Sequence, residues 1–163
     1  MLHDETLADL LSHFPHEGRV EWIGIRPERR ALPVTVDAVE VTVGGLIGDH
    51  YSGRNGKRAV TLIQAEHLKA IASLTGNSRV DPALLRRNIV VSGLNLVALK
   101  DRRFRIGSAL LEGTGACDPC SRMEENLGKG GLNAMRGHGG LNARVIEPGF
   151  IRIGDAITVT EAT

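Results

Sequence analysis

The stretch RFRIGSALLEGTGACDPC, residues 103–120, carries the two features on which the interpretation of this sequence depends. Its first part consists of short apolar runs broken by glycine, which is typical of β-strands joined by tight turns. Its end holds both cysteines of the chain, Cys117 and Cys120, on either side of Asp118 and Pro119. A zinc site, a redox pair, a disulfide and a single reactive thiol all fit that spacing.

The same succession of short β-type runs continues on both sides of this stretch. Runs rich in Val, Ile and Thr are bounded by Gly, Pro, Asn and Asp, namely VEWIGIRP, LPVTVDAVEV, RAVTLIQ, NIVVSG, ARVIEPG and DAITVT. Strands of this length and spacing favour a barrel or sandwich over alternating βαβ units. We therefore predict a mostly β fold with a few helices, in a single domain over residues 18–163.

Helical patterns are confined to three segments. The first is an acidic lead over residues 1–17, in which apolar residues recur at helical spacing before Pro15: Leu2, Leu7, Leu10, Leu11 and Phe14. This lead would serve either dimerisation or capping of the β domain, and the sequence does not separate the two. Residues 65–74 (AEHLKAIASL) predict a second helix that stops at Gly76, and Asp81-Pro82 predicts the start of a third.

Composition excludes several classes of protein. Lys and Arg number 20 against 19 Asp and Glu, so no overall field favours nucleic acid or a membrane surface. No apolar run approaches the roughly 20 residues that span a bilayer, and the N-terminus lacks a signal layout. Two cysteines are too few for a disulfide framework, so we expect a cytoplasmic protein. The sequence specifies no oligomeric state.

The residues around the two cysteines reduce the number of possible roles for these thiols. A structural zinc site needs two further ligands, and the nearest histidine, His138, stands alone among glycines, so we expect no zinc. A thioredoxin-like pair would need a βαβ fold. Cationic Arg122 follows the pair and would favour a thiolate. The alternative is a solvated turn in which Arg122 only pairs with Asp118.

Several arginines flank predicted strands and could bind an anion. Arg58 precedes AVTLIQ, and Arg86, Arg87 and Asn88 precede IVVSG. The guanidinium fork suits phosphate and other oxyanions. Taken singly, each arginine is more often a surface charge, and asparagine at such a place is by default a turn or cap residue.

The order of these pieces resembles a known family. The chain contains GLIGDHYSG, GKRAVTLIQAEHL, LRRNIVVSGLNL, RIGSALLEGTGACDPC and GLNARVIEPGFIRIGD in succession. Over residues 20–159 this resembles the MOSC domain, named after the C-terminal domain of molybdenum cofactor sulfurases, in its small stand-alone bacterial form. The resemblance implies a closed, mostly antiparallel β-barrel with a few helices.

The resemblance also implies roles for particular residues. The family's x-P-C element falls on Cys120, which would bind molybdenum or carry sulfur, with Arg122 as a cationic neighbour. Its R-x-N element falls on Arg86 and Asn88, which would face the pterin phosphate or the metal oxo groups. Arg87 is then the variable middle residue of that element. Arg58 is a third anion contact.

Three functions are compatible with this assignment. The first is a protein that binds molybdenum cofactor, oxidoreductase-like or cofactor-handling, with Cys120 as ligand. The second is a sulfur carrier in which a Cys120 persulfide passes sulfur to a metal–sulfur cluster or cofactor and Cys117 resolves it. The third is a non-catalytic anion-binding protein. Pyridoxal phosphate is associated with the family, but Lys57 and Lys69 look like surface residues rather than Schiff-base lysines.

The predicted functions would require partner proteins. Family members that reduce N-hydroxylated compounds carry a further N-terminal β-barrel domain, which the lead of about 17 residues does not supply. A reductive activity would therefore need a separate reductase, and sulfur transfer would need a cysteine desulfurase.

The glycine-rich residues 128–140 predict a mobile loop, in which Arg136 and His138 close over a ligand as a lid. A plain flexible loop is the alternative.

Overall fold

The structure is a computed structural model that describes residues 4–51, 53 and 55–160. Leu2 and the end of the predicted domain, residues 161–163, lie outside the described residues. The described chain contains more strand than helix, and its strands are β1 (Gly18–Ile25), β2 (Val34–Thr35), β3 (Ala38–Thr42), β4 (Gly45–Leu46), β5 (Val60–Gln64), β6 (Ile89–Ser92), β7 (Arg103–Ile106), β8 (Ala109–Ala116), β9 (Leu141–Glu147), β10 (Gly149–Arg152) and β11 (Ala156–Val159).

The helices are short. They are α1 (Leu7–Ser12), α2 (Ala65–Thr75), α3 (Ser121–Leu127) and α4 (Gly131–Met135), with one-turn 3-10 helices at Pro82–Leu85 and Leu96–Leu99. In the described ranges no helix has the length and apolar character needed to cross a bilayer.

Seven strands close into a barrel. They follow the order β1, β6, β5, β9, β8, β7 and β11, and β11 pairs back with β1. Neighbouring strands are antiparallel except β5 and β6, which run parallel with Leu62 opposite Ile89. A smaller antiparallel sheet of β10, β3 and β4 lies apart from the barrel order. The predicted closed, mostly antiparallel β-barrel is confirmed.

Two hydrophobic cores explain why β5 and β6 read as continuous apolar runs. Alternate residues of a strand point to opposite faces. Leu62 and Ile89 accordingly lie in the barrel core with Phe104, whereas Ile63 and Val90 lie in a second core outside the barrel. The helices complete that second core with Ile71, Leu85, Met123 and Met135.

The two inserted helices begin where the sequence predicts. Helix α2 ends at Thr75, and the N–H of Gly76, in the left-handed conformation, donates to Ala72 O and Ser73 O. Asp81 accepts from the N–H of Ala83, as expected for an N-cap, but the element that follows is one 3-10 turn. It ends at Arg86, whose φ of 59° is left-handed.

The glycine-rich segment differs from the prediction. It contains α4, whose Ala134 and Met135 are buried against the second core. The prediction of a mobile loop throughout residues 128–140 is wrong at α4, because burial of these two apolar side chains stabilises a helix that the glycine-rich sequence did not predict. Helix α3, which follows Cys120 and buries Met123, was not predicted either.

The described part of the N-terminal segment, from residue 4 onward, forms a six-residue helix. Thr6 and Asp9 make a capping box, and no residue of α1 is buried. Leu7 and Leu11 are 72% and 61% exposed, so these leucines do not cap the barrel. Phe14, which follows the helix, packs against the barrel core instead.

Candidate functional site

The two cysteines lie in different environments. Cys117 follows β8, is 2% exposed, and donates its N–H to Gly140 O at 2.9 Å. Cys120 is exposed and stands immediately before α3, where its carbonyl accepts the N–H of Met123 at 2.9 Å. Both thiols are free. Only Cys120 therefore presents its sulfur to a ligand.

Arg86 is the cationic residue that links Cys120 to the rest of the site. It is half-buried, and burial lowers its pKa. The positive charges of Arg26 and Arg122 lower that pKa further, whereas Cys120 and Asp49 act in the opposite direction. These four groups therefore lie within electrostatic range of one guanidinium. The charges of Arg122 and Cys120 thus both act on Arg86, and the predicted site roles of these three residues stay predictions.

A buried ion pair forms the floor of this region. Asp49 and Arg26 side chains are 1% and 15% exposed, with Arg26 Nη2 3.2 Å from Asp49 Oδ2. Burial by itself raises the pKa of Asp49, but the hydrogen bonds and charge of Arg26 outweigh it, and the pKa lies below its ordinary value. Asp49 is thus a carboxylate at neutral pH. Neither Asp49 nor Arg26 is predicted from the sequence as a site residue, although Asp49 stands in the segment GLIGDHYSG.

Asn88 fixes this ion pair in place. It is 1% exposed, and its Oδ1 accepts from the N–H and the hydroxyl of Thr61. Its Nδ2 donates to Gly24 O at 3.2 Å and to Asp49 Oδ1 at 3.3 Å. Both halves of the amide are engaged within the protein. Its predicted role as a ligand contact stays a prediction, and its contacts are those of a residue that positions Asp49.

Next to the ion pair is a cleft of about 530 Å³ with a cationic lining. It is lined by Arg26, Arg29, His50, Tyr51, Gly53, Arg58 and Thr61. Among the described residues, the Nδ1 of His50 is buried without a hydrogen-bond partner. A larger cleft of about 640 Å³ lies between the N-terminal segment and β11, but no cysteine lines it. No cysteine lines the smaller cleft either, and its link to the cysteines is Arg87, on which the charges of Arg58, Arg26, Cys117 and Cys120 all act.

Arg87 connects the cleft to the cysteines. Its guanidinium is buried, and burial lowers its pKa. Cys117 and Cys120 raise that pKa, and Arg58 and Arg26 lower it, so all four groups lie within electrostatic range of Arg87. Its side chain donates to Cys117 O, Asp118 O, Gly139 O and Leu85 O. No sequence motif predicts this role, since Arg87 occupies the variable middle position of the R-x-N element.

Other predicted residues lie around this centre. Arg122 Nη1 donates to Glu125 Oε2 at 3.0 Å, so its partner is on α3 rather than Asp118. Arg136 is exposed. The ring of His138 packs edge-on against His67 of α2, with centroids 4.9 Å apart. The lid role of Arg136 and His138 stays a prediction.

The side chains that could bind a metal are sparse. In the part of the chain that the structure describes, no three His, Cys, Asp or Glu side chains form a group that could hold a metal ion.

Comparison with known proteins identifies the family. The sequence model of the MOSC domain matches residues 40–158, which is most of the chain. The chain belongs to the MOSC domain family. The family is named after molybdenum cofactor sulfurases, and the match includes the Asp49 region, the R-x-N element and Cys120. A search of curated proteins finds no match.

Solved structures show the same fold. YuaD from Bacillus subtilis is similar with a TM-score of 0.80 at 22% identity, over 91% of this chain and 98% of that chain. YiiM from Escherichia coli gives 0.73 at 22% identity, over 91% and 72%. YiiM from Geobacillus stearothermophilus gives 0.72 at 18% identity, over 88% and 75%. At these identities the likeness establishes the MOSC fold alone.

Proposed function

We propose that this MOSC protein binds molybdenum cofactor, with Cys120 as the metal ligand and the cleft arginines as contacts for the cofactor's phosphate. The observation that carries the proposal is an exposed thiol, Cys120, whose charge acts on Arg86 together with the charges of Arg122 and of Arg26, which lines the arginine-rich cleft. The family's association with molybdenum cofactor supports the same assignment.

The chemistry of the donor set fits this group. A thiolate is a soft ligand that suits a metal–sulfur site. Guanidinium groups suit a phosphate, to which they donate paired hydrogen bonds. A cleft of about 530 Å³ falls within the usual range for small-molecule sites. When bound, molybdenum cofactor would supply redox or atom-transfer chemistry at its metal.

The protein's own residues would divide the remaining work. Arg26, Arg29 and Arg58 line the cleft and would neutralise a phosphate, while Asp49 keeps Arg26 in its orientation. Arg86, on which the charges of both Arg26 and Cys120 act, would compensate negative charge on the sulfur or on metal oxo groups. The unpartnered His50 Nδ1 offers the ligand one further hydrogen bond.

Metal and pterin analysis of purified protein tests the proposal. Wild-type chain expressed in a strain competent for cofactor synthesis should contain molybdenum and pterin, and Cys120→Ala should lose the molybdenum. Cys117→Ala is the matched control, because its sulfur is buried, and it should retain both. Absence of metal and pterin from soluble wild-type protein, together with no uptake on reconstitution, would refute the assignment.

A sulfur carrier is the second candidate, favoured by the exposure of a free Cys120 three residues after Cys117. The Cys120 thiolate would attack the outer sulfur of a desulfurase persulfide. The donor's S–S bond breaks, its cysteine leaves as a thiolate, and Cys120 becomes the persulfide. Mass spectrometry after incubation with a cysteine desulfurase and cysteine should show one added sulfur atom on Cys120. If that mass never appears, the carrier function is excluded.

The same experiments recognise a protein that only binds anions. Such a protein would bind its anion equally in wild type and in Cys120→Ala, and neither chain would gain molybdenum or sulfur.

A further inference from the structure

Although the side chain of Asp49 is also buried, Arg87 is the one charged residue in the described chain that is buried as a whole residue. It is 7% exposed, whereas the other polar residues buried in this way are uncharged: Thr61, Gln64, Asn88 and Asn142. Burial of a guanidinium is costly unless its donors find acceptors. The contacts of Arg87 should therefore reveal why the fold retains a charge at this position.

Those contacts are all to backbone carbonyls. Arg87 Nε donates to Gly139 O at 2.7 Å and Nη1 donates to Leu85 O at 3.0 Å. Nη2 donates to Cys117 O at 3.1 Å and to Asp118 O at 3.4 Å. Since a guanidinium has five N–H groups, most of its donors are used. One side chain thus ties the start of β6, the cysteine turn (residues 117–120) and the loop after α4 to each other.

The cysteine turn has few other attachments. Its Cys117 N–H donates to Gly140 O, and the carbonyl of Cys120 serves only the following helix. Within the described residues, no side chain other than Arg87 donates a hydrogen bond to the backbone of this turn. Without Arg87, the segment between Cys117 and α3 would have a single hydrogen bond to the neighbouring loop.

Close packing shows that the loop after α4 lies directly on the turn. A Cβ added to Gly139 would overlap the carbonyl of Cys117 and come within 3.2 Å of Pro119 Cδ. Arg87 donates hydrogen bonds to both segments at this junction, to Gly139 O in the loop and to Cys117 O in the turn. The turn and the loop are therefore fixed as a pair by one guanidinium.

We propose that Arg87 is a positioning residue that fixes the cysteine turn, so that Cys120 faces the ligand while Cys117 stays buried. This role rests on the proposed function, in which the Cys120 thiol binds the ligand. Lysine cannot replace it, because a single ammonium cannot bridge carbonyls that lie on different sides of a planar fork. This positioning role falls on Arg87, the middle residue of the R-x-N element in this chain.

Thiol labelling of the metal-free protein tests the proposal. Wild type treated with iodoacetamide should be alkylated at Cys120 and protected at Cys117, as read by peptide mass spectrometry. In Arg87→Ala the Cys117 labelling rate should rise by at least about tenfold, because the turn opens locally. Arg87→Lys should show a smaller rise. Arg103→Ala, which removes an exposed arginine paired with Glu112, should behave as wild type.

A control for stability separates positioning from general loosening of the fold. Ile157→Ala removes a fully buried side chain of β11, far along the chain from the turn. Labelling rates are compared at conditions where this variant and the Arg87 variants have equal fractions unfolded. Faster Cys117 labelling in the Arg87 variants supports the proposal, and equal labelling overturns it.

Wild-type protein provides a test that does not depend on variants that fold. The Nε–H of Arg87 should exchange slowly with solvent and show a nuclear Overhauser effect to the α-protons of Gly139. Rapid exchange without that contact would overturn the proposal. Because labelling needs no cofactor, a released turn in Arg87→Ala together with wild type devoid of molybdenum would support positioning and refute the proposed function.

Discussion

Replacement of Asp49 by asparagine changes one atom at the centre of the cleft's floor. Oδ1 accepts from Arg26 N at 2.7 Å, Arg26 Nε at 3.3 Å and Asn88 Nδ2 at 3.3 Å. Oδ2 accepts from Arg26 Nη2 at 3.2 Å and Tyr51 N at 3.3 Å. In Asp49→Asn one of these oxygens becomes an NH₂ group that faces donors, so at least two hydrogen bonds are lost in either orientation.

The expected loss of stability follows from the burial of the pair. Removal of one partner of a buried ion pair costs about 3–5 kcal/mol, since the remaining charge has no counter-ion. The asparagine carbonyl still accepts some of the original bonds, each worth about 1.5–3 kcal/mol when charged. We therefore expect Asp49→Asn to lower the free energy of unfolding by about 2–4 kcal/mol.

Urea denaturation measures this change. The midpoint should fall while the slope with denaturant stays constant, because the native surface is unchanged. Glu147→Gln is the matched control, since its pair with Arg105 is similar in length at 3.1 Å but has side chains 56% and 40% exposed. It should change stability by less than about 0.5 kcal/mol. An Asp49→Asn value within about 1 kcal/mol of wild type would refute the reasoning.

The same carboxylate predicts a pH dependence with a definite sign. The pKa of Asp49 is lower in the folded protein than its ordinary value of 3.8, so the unfolded chain binds its proton first as the pH falls. The stabilisation is present above that ordinary value and is lost as the pH falls through the lower folded pKa. Acid titration of unfolding should therefore be steeper for wild type than for Asp49→Asn in this range.

Four further substitutions, one of them a control, test other parts of the structure. Gly139→Ala should destabilise the protein by about 1–3 kcal/mol in urea, because its Cβ meets the backbone of Cys117. Gly137→Ala, which has open space but a φ of 81°, should cost only about 1 kcal/mol, and equal values would contradict the packing argument. Asn88→Ala should cost about 2–4 kcal/mol by calorimetry or urea, since buried donors lose their acceptor; a neutral result would show that the amide is dispensable. Burial lowers the pKa of His67 below 6.5, so stability should decline as the pH falls below that value, and His67→Gln should flatten the decline. The same slope in both proteins would assign the decline to other groups.

The barrel could be predicted from the sequence because its strands carry their own signal. Runs such as VTLIQ and IVVS combine β-branched composition with glycine or asparagine boundaries, and they became β5 and β6. The two-residue β4 (Gly45–Leu46) and the glycine-led β10 (Gly149–Arg152) lack that signal. Their formation depends on pairing with β3, which a linear pattern does not contain.

The site was predicted only where a motif names a residue. Cys120 and Arg86 stand in the x-P-C and R-x-N elements, and the charge of Cys120 acts on Arg86, as does that of Arg26 in the cleft lining. Arg87 was passed over because its role depends on carbonyls from residues 117–118 and 139, which meet it only after folding. Asp49 likewise acquires its role from Arg26, 23 residues earlier in the chain.

The parallel pairing of β5 and β6 has a consequence for protein engineering. Two strands that run in the same direction begin at the same rim, so Arg58 before β5 and Arg86 before β6 open onto one side of the barrel. Antiparallel pairing would place them at opposite rims, a strand length or about 15 Å apart. The segment that connects β5 to β6 therefore determines that the two strands run parallel, but it does not set the distance between Arg58 and Arg86. Its exposed bend at residues 76–79 should accept an inserted reporter domain while the arginines keep their spacing.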